Sequence, residues 1–257
     1  MEYTDQLGRK IDLAHRPQRI VSLVPSQTEL LFDLGLEEEV VGITKFCVHP
    51  NQWFRSKSRV GGTKKLDFKK ITALQPDLII GNKEENQEEQ IKELMQHYPV
   101  WMSDIGNLSE AIHMIASIGA ICDRKERAFA LTSNIEKAFH ALPACHPPRS
   151  AAYLIWQNPY MAAGNDTFIH DMLKRCGLTN VIEDSRYPEI NLDKLQGHSP
   201  SLILLSSEPF PFGTKHIAPL QEACPTSRIL LVDGELFSWY GSRLLHTPAY
   251  FETILRI

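Results

Sequence analysis

Apolar residues in this chain come in short runs that stop at a proline, a glycine or a polar cluster. Ile20-Val21 and Leu23-Val24 run into Pro25, and leucines then return at helical steps as Leu30, Leu31 and Leu34. Runs this short and this apolar predict strands buried on both faces. They fall at 20–24, 40–44, 78–81, 100–102, 152–156, 202–206 and 229–232. Between several of them the apolar period lengthens to that of a helix, at 28–34, 88–97, 109–119 and 167–176. Such alternation predicts an α/β fold with parallel sheets covered by helices.

Residues 123–142 differ, since they hold neither Gly nor Pro and place Ala128, Leu131, Ile135, Ala138 and Phe139 at helical steps. This predicts one long helix, with Asp123 as its N-cap and Cys145-His146-Pro147-Pro148 ending it. A faint internal repeat makes the helix a strut between two lobes. The segment DFKKITALQPDLII at 67–80 matches NLDKLQGHSPSLILL at 191–205 without a gap when Pro76 is set on Pro200, 124 positions later. Each copy reads as a short helix, a tight proline turn and a buried strand. The expected organisation is therefore an N-terminal lobe at 1–108, linking helices at 109–146 with the backbone helix at 123–142, and a C-terminal lobe at 147–257.

In parallel α/β lobes, ligands lie beyond the carboxyl ends of the strands, where helix N-termini offer unpaired N–H groups. Pro25-Ser26-Gln27-Thr28-Glu29 sits at such a strand exit, with Ser26 as the expected N-cap and Glu29 completing a capping box. Gln157-Asn158-Pro159-Tyr160 is the second lobe's strand exit, and Gly164–Thr167 opens its next helix. Aromatics and histidines crowd the same strand ends. The first lobe supplies Phe46, Cys47, His49 and Trp53; the second supplies Trp156, Tyr160, Tyr187, Phe237, Trp239 and Tyr240, with Arg243 close by. Flat apolar walls with a few polar groups suit a large planar or macrocyclic ligand across a cleft between the lobes. Trp239-Tyr240-Gly241-Ser242-Arg243 reads as a loop that exposes its aromatic pair for a purpose.

Composition narrows the field. The 257 residues carry a net charge of −4 and show no basic stripe, which argues against a nucleic-acid partner. Five widely spaced cysteines, Cys47, Cys122, Cys145, Cys176 and Cys224, read as reduced thiols rather than a disulfide framework. Neither Cys47 with His49 nor Cys145 with His146 has a second ligand pair at zinc spacing. Motifs for a serine hydrolase, a zinc protease, a P-loop and a dinucleotide fold are all missing, so no enzyme is expected. No apolar run has the length of a membrane helix. The polar N-terminus lacks a signal's apolar stretch; the expected location is cytoplasmic if Met1 is the true start and periplasmic if an export segment was removed.

Several motifs in order resemble the helical-backbone (class III) periplasmic substrate-binding proteins of ABC importers, the family that takes up vitamin B12, ferric siderophores and haem. RIVSLVPSQTELLFDLGLEEEVVGIT resembles its first strand-helix-strand, and VGGTKKLDFKKITALQPDLIIGN its signature segment. Residues 107–142 resemble its lobe-joining helices, and YMAAGNDTFIHDMLKRCGLTNV its C-lobe opening helix. The resemblance implies two Rossmann-like lobes with parallel sheets joined by a long rigid α-helix and a metal chelate in the cleft. It implies a monomer with no intrinsic cofactor, whose cargo is cobalamin, a ferric siderophore or haem. Pro25, Ser26, Gln27, His49, Asn82, Trp156, Tyr160, Tyr187, Trp239, Tyr240 and Arg243 are the ligand-binding residues it points to. His49 stands where vitamin B12 binders place an aromatic before a proline, and an imidazole there can ligate the metal. Asn82 replaces a tryptophan that walls the B12 pocket, a departure from that ligand. Glu88 and Asp193 match the acidic residues, one per lobe, that dock on the permease. A cytoplasmic carrier or sensor of the same fold, with no transporter, is the alternative.

Overall fold

The structure, a computed structural model, describes residues 1–143 and 148–256. It divides into two compact units. The first takes 1–105, 109–134 and 240–243, and the second takes 106–108, 135–239 and 244–257.

In the first unit β1 (Glu2–Thr4) and β2 (Lys10–Asp12) form an antiparallel pair. Then follow β3 (Ile20–Ser22), α1 (Pro25–Asp33), β4 (Val40–Ile43), α2 (Asn51–Ser56), β5 (Ser58–Arg59), α3 (Phe68–Leu74), β6 (Leu78–Asn82), α4 (Glu88–Met95) and β7 (Val100–Ser103). The main sheet is wholly parallel in the order β5-β4-β3-β6-β7. Two helices follow, α5 (Leu108–Ile121) and α6 (Lys125–His140), and α6 is counted with the first unit through Asn134 and with the second from Ile135.

The second unit contains β8 (Arg149–Trp156), β9 (Met161–Ala162), α7 (Phe168–Arg175), β10 (Leu178–Asn180), α8 (Leu192–His198), β11 (Leu202–Ser206), α9 (Ile217–Ala223), β12 (Arg228–Val232), α10 (Glu235–Ser238) and α11 (Thr247–Leu255). Its sheet runs β10-β8-β11-β12 in parallel, and β9 adds to β8 as an antiparallel hairpin strand. That hairpin corrects the expectation of a plain strand-elbow-helix opening. Gln157–Tyr160 is the turn between β8 and β9, and Asn158 there takes the left-handed conformation (φ 65°).

The repeat holds to the residue. Asp67 and Asn191 cap α3 and α8 by accepting from the N–H three residues on. Gln75 and Ser199 end the helices in the left-handed conformation, at φ 45° and 44°, each just before its proline. Ile71 and Leu195 point from the helices into the cores, against Ile79 and Ile203 of the following strands. At the strand ends Asn82 and Ser206 each accept a hydrogen bond from the N–H two residues on, of Glu84 and Glu208.

The long helix is shorter than expected, spanning about 24 Å at 1.5 Å per residue. Asp123 is not its N-cap. With φ 55° it closes α5 instead, and Arg124 N–H returns to the Gly119 carbonyl at 2.7 Å. The Arg124 carbonyl then accepts the first bond of α6, from Ala128 N–H. Cys145 and His146 lie outside the described residues.

If the repeat is held by its inward side chains, Ile71→Ala and Leu195→Ala should each lower the unfolding free energy by about 2–5 kcal/mol in urea titrations. Gln75→Gly and Ser199→Gly should raise it by up to about 1 kcal/mol, because glycine removes the left-handed strain at some cost in chain entropy.

Candidate functional site

At the carboxyl end of the first sheet, α1 starts two residues earlier than a Ser26 N-cap would place it. Its N-cap is Val24, which has no side chain to cap with, and Pro25 takes the first helical position, where a missing N–H is harmless. The capping box expected from Ser26 and Glu29 is therefore absent. Ser26, Gln27 and Thr28 point into the protein instead. Thr28 Oγ1 donates to the Val24 carbonyl at 2.9 Å and lies 2.7 Å from Ser22 Oγ and 3.1 Å from Cys47 Sγ. Gln27 Nε2 donates to Ser103 Oγ, which also receives Asn82 Nδ2 at 2.9 Å. Asn82, 1% exposed, spends its oxygen on the Glu84 and Glu85 N–H groups. Pro25 stays half-buried at the rim.

Glu29 has a different task. Arg243 Nε donates to its Oε2 at 2.9 Å and Arg243 Nη2 to its Oε1 at 2.6 Å, a bidentate clasp with both side chains mostly buried. Gly241 lies against the Ser26 carbonyl, where a Cβ would come within 2.6 Å, so its role is close approach rather than loop freedom. Trp239 and Tyr240 are 7% and 8% exposed, which overturns the expected bare aromatic pair. Trp239 Nε1 donates to Glu208 Oε1 at 2.9 Å, beside Ser238 Oγ at 2.8 Å. Phe237 and Trp53 are likewise core residues.

What remains near the surface is a smaller set. After β4, Phe46 and Val48 are 51% and 41% exposed, and His49 is half-buried. Lys45 Nζ lies 5.0 Å from the centre of the Phe46 ring, whose other neighbour is Gly62. Cys47 between them is buried, and burial raises its pKa, which disfavours the reactive thiolate. In the second unit Trp156 is 40% exposed and packs edge-on to Phe210. Tyr160 and Tyr187 are half-buried; Gln157 Nε2 donates to the Tyr160 hydroxyl and the Arg186 guanidinium lies over the Tyr187 ring. A cavity of about 430 Å³ opens at the end of β11 and β12, lined by Ser207, Phe212, Leu231, Val232, Asp233 and Glu235. None of the ligand residues expected from the sequence lines it. Its signal was the Phe-Pro-Phe run after β11. Among the described residues no group of three His, Cys, Asp or Glu side chains could hold a metal ion.

Glu88 and Asp193 are both exposed in the first turn of a helix, but Glu88 binds Lys92 at 2.6 Å, which holds its carboxyl below the usual range. They are not equivalent by the repeat. The residue 124 positions before Asp193 is Lys69.

The model of the periplasmic binding protein family matches residues 20–222. The chain belongs to this family. Its members bind solutes for transport and are not enzymes. A vitamin B12-binding protein of Pectobacterium carotovorum is 22% identical over 238 residues, covering 89% of this chain and 85% of that protein. The periplasmic vitamin B12 binding protein BtuF of Vibrio cholerae superimposes with a TM-score of 0.77 at 19% identity, covering 94% of this chain and 97% of that one. The periplasmic haem-binding protein RhuT from Roseiflexus sp. RS-1 does so with a TM-score of 0.79 at 20% identity, covering 93% and 99%. This family fold is the α/β architecture with parallel sheets that the strand-helix alternation predicts.

Glu208 offers a pH handle on the second unit. Burial, and then the neighbouring carboxylates of Glu235 and Asp233, push its pKa up despite hydrogen bonds from Ser238 and Trp239. A raised acid is better protonated in the folded state, so its contribution is complete at low pH and is lost as pH rises past the ordinary glutamate value of 4.5. Urea titrations between about pH 4.5 and 8 should show the wild type falling relative to Glu208→Gln as pH rises. Parallel curves would show that Glu208 titrates normally.

Proposed function

We propose that this chain is the substrate-binding component of an ABC importer and that its cargo is a metal chelate: a cobalamin, a haem or a ferric siderophore. One observation carries the reading. Large apolar side chains stay in water on the loops that leave parallel strands at their carboxyl ends, Phe46 and Val48 after β4 and Trp156 at the end of β8. Keeping such area exposed has no packing benefit and suits a flat, largely apolar ligand. Family membership and the ligands printed in the names of its relatives support the same class. Among the described residues no helix is long and apolar enough to cross a membrane. A periplasmic location accompanies the family's description.

Within this reading His49, Trp156, Tyr160 and Tyr187 touch the chelate, and His49 ligates its metal. Pro25, Ser26, Gln27, Asn82, Trp239, Tyr240 and Arg243 shape and fix the loops around it. Asp193 meets the permease.

Visible-absorption titrations of the pure protein with haem, cyanocobalamin and a ferric hydroxamate should give a saturable change with one of them. Silence with all three refutes the proposal. His49→Ala should weaken binding of haem or cobalamin about tenfold while the melting temperature stays put. An unchanged affinity and metal spectrum would remove His49 from the metal.

A further inference from the structure

We propose that the cavity at the carboxyl ends of β11 and β12 binds an organic ammonium group carried on an apolar chain. The inference goes beyond the chelate reading above and stands on the second unit alone.

The cavity brings three kinds of wall together. Phe212 gives it an aromatic ring, Leu231 and Val232 an aliphatic side, and Ser207, Asp233 and Glu235 its polar groups. At about 430 Å³ it falls within the roughly 300–1,000 Å³ usual for small-molecule pockets. Leu231 is 40% exposed on the edge strand β12, so the aliphatic side is open to a ligand rather than filled by packing. The aromatic wall is already set. Phe212 is buried, with Phe210 and His216 edge-on to it at ring separations of 4.8 and 5.4 Å.

Charge decides which ligand such a cavity takes. Asp233 is fixed in place: its N–H donates to the Tyr250 hydroxyl at 2.8 Å, and its Oδ1 accepts the Glu235 N–H at 3.0 Å. Among the described residues Asp233 makes no ion pair. Glu208 lies directly against the same turn, where a Cβ on Gly234 would stand 2.7 Å from its Cγ. Burial first, and then Glu235 and Asp233, push the Glu208 carboxyl up, so the negative charge around the turn is felt inside it. An anionic group, such as a haem propionate or a catecholate, meets repulsion here. A bare metal ion fits poorly too, because among the described residues no group of three His, Cys, Asp or Glu side chains could hold one. An ammonium on a carbon chain matches every wall. Its charge faces Asp233 and the ring of Phe212, and its chain lies along Leu231 and Val232. The same group arrives either as an amine arm of the bound chelate or as a free small amine.

The test is calorimetric titration of the full chain at low salt with hexylammonium and with hexanol, its neutral counterpart. Hexylammonium should bind saturably, and hexanol about tenfold more weakly or worse. Asp233→Asn keeps the oxygen that accepts the Glu235 N–H, and Leu231→Asn changes an exposed side chain; each should weaken hexylammonium about tenfold with little change in melting temperature. Asp233→Glu should retain binding. Equal affinity for the two probes, or indifference to Asp233→Asn, overturns the proposal. The source is read by comparing a ferric trihydroxamate that bears a free terminal ammonium with its N-acetylated form. A preference of about tenfold for the ammonium form, lost in Asp233→Asn, assigns the group to the chelate. Equal affinity for the two forms, with hexylammonium still binding, assigns the site to a free amine. Equal affinity together with silence of hexylammonium overturns the proposal. A chain that binds hexylammonium but neither haem, cyanocobalamin nor a ferric hydroxamate upholds this site while overturning the importer reading.

Discussion

The structure depends on a mutual need between a short helix and a parallel strand. A helix of seven residues is too short to hold itself in water, and a parallel strand needs a crossover and a cover on each face. In α3 and α8 one inward residue, Ile71 or Leu195, joins the two requirements by sitting on the strand that follows. The connection between them has little choice. Proline stops the helix, and the residue before it must reverse the chain at once, which Gln75 and Ser199 do in the left-handed conformation. Because each part requires the others, the segment survives as a block in both units.

The same constraint decides what happens at the strand ends. A buried parallel strand delivers its last backbone groups to a place where the ladder has stopped, and polar groups buried there need partners. Asn82 and Ser206 answer at matching positions by taking the N–H two residues on. In the first unit the answer widens into a network of Gln27, Ser103, Asn82 and Asn86. In the second it runs from the Tyr153 hydroxyl to Ser206 Oγ at 3.0 Å and on to the backbone of Glu208. The polar residues that draw attention at these elbows are mostly spent on holding the loops.

This explains what the sequence showed and what it hid. The strands were legible because apolar runs bounded by breakers have few other uses; 202–206 matches β11 end to end. The repeat was legible because its cap, proline and inward residue sit at fixed spacing. The site was less so. Ser26 and Glu29 have the spacing of a capping box, but Pro25 starts the helix before them, and Glu29 is taken by Arg243, 214 residues away. No local pattern encodes that distance. Trp239-Tyr240 read as exposed because a glycine and polar residues follow; in fact Gly241 lets the backbone press on Ser26. The hairpin strand β9 is two residues long, too short for any periodicity. Phe46, in contrast, was found among the strand-end aromatics and is the most exposed of them in the first unit.

A face that must keep apolar area in water has a second problem, since a loose ring loses rotamer freedom when it binds. The exposed rings of Phe46 and Trp156 and the half-buried ring of Tyr187 are each braced in advance. Phe46 lies between Lys45 and Gly62, Trp156 against Phe210, and Tyr187 beneath Arg186. Phe210 is itself held by Phe212 and His216 at ring separations of 4.8 and 5.3 Å. Two of these braces are cations, which can stack on a ring while keeping their charge in water. In each unit the braced rings are thereby held without being fully buried, and a cation stands beside one of them. Beneath them, the buried polar rows fix the backbone from which the loops spring. A ring held in this way has less rotamer freedom left to lose when a ligand arrives than a ring standing loose on its loop.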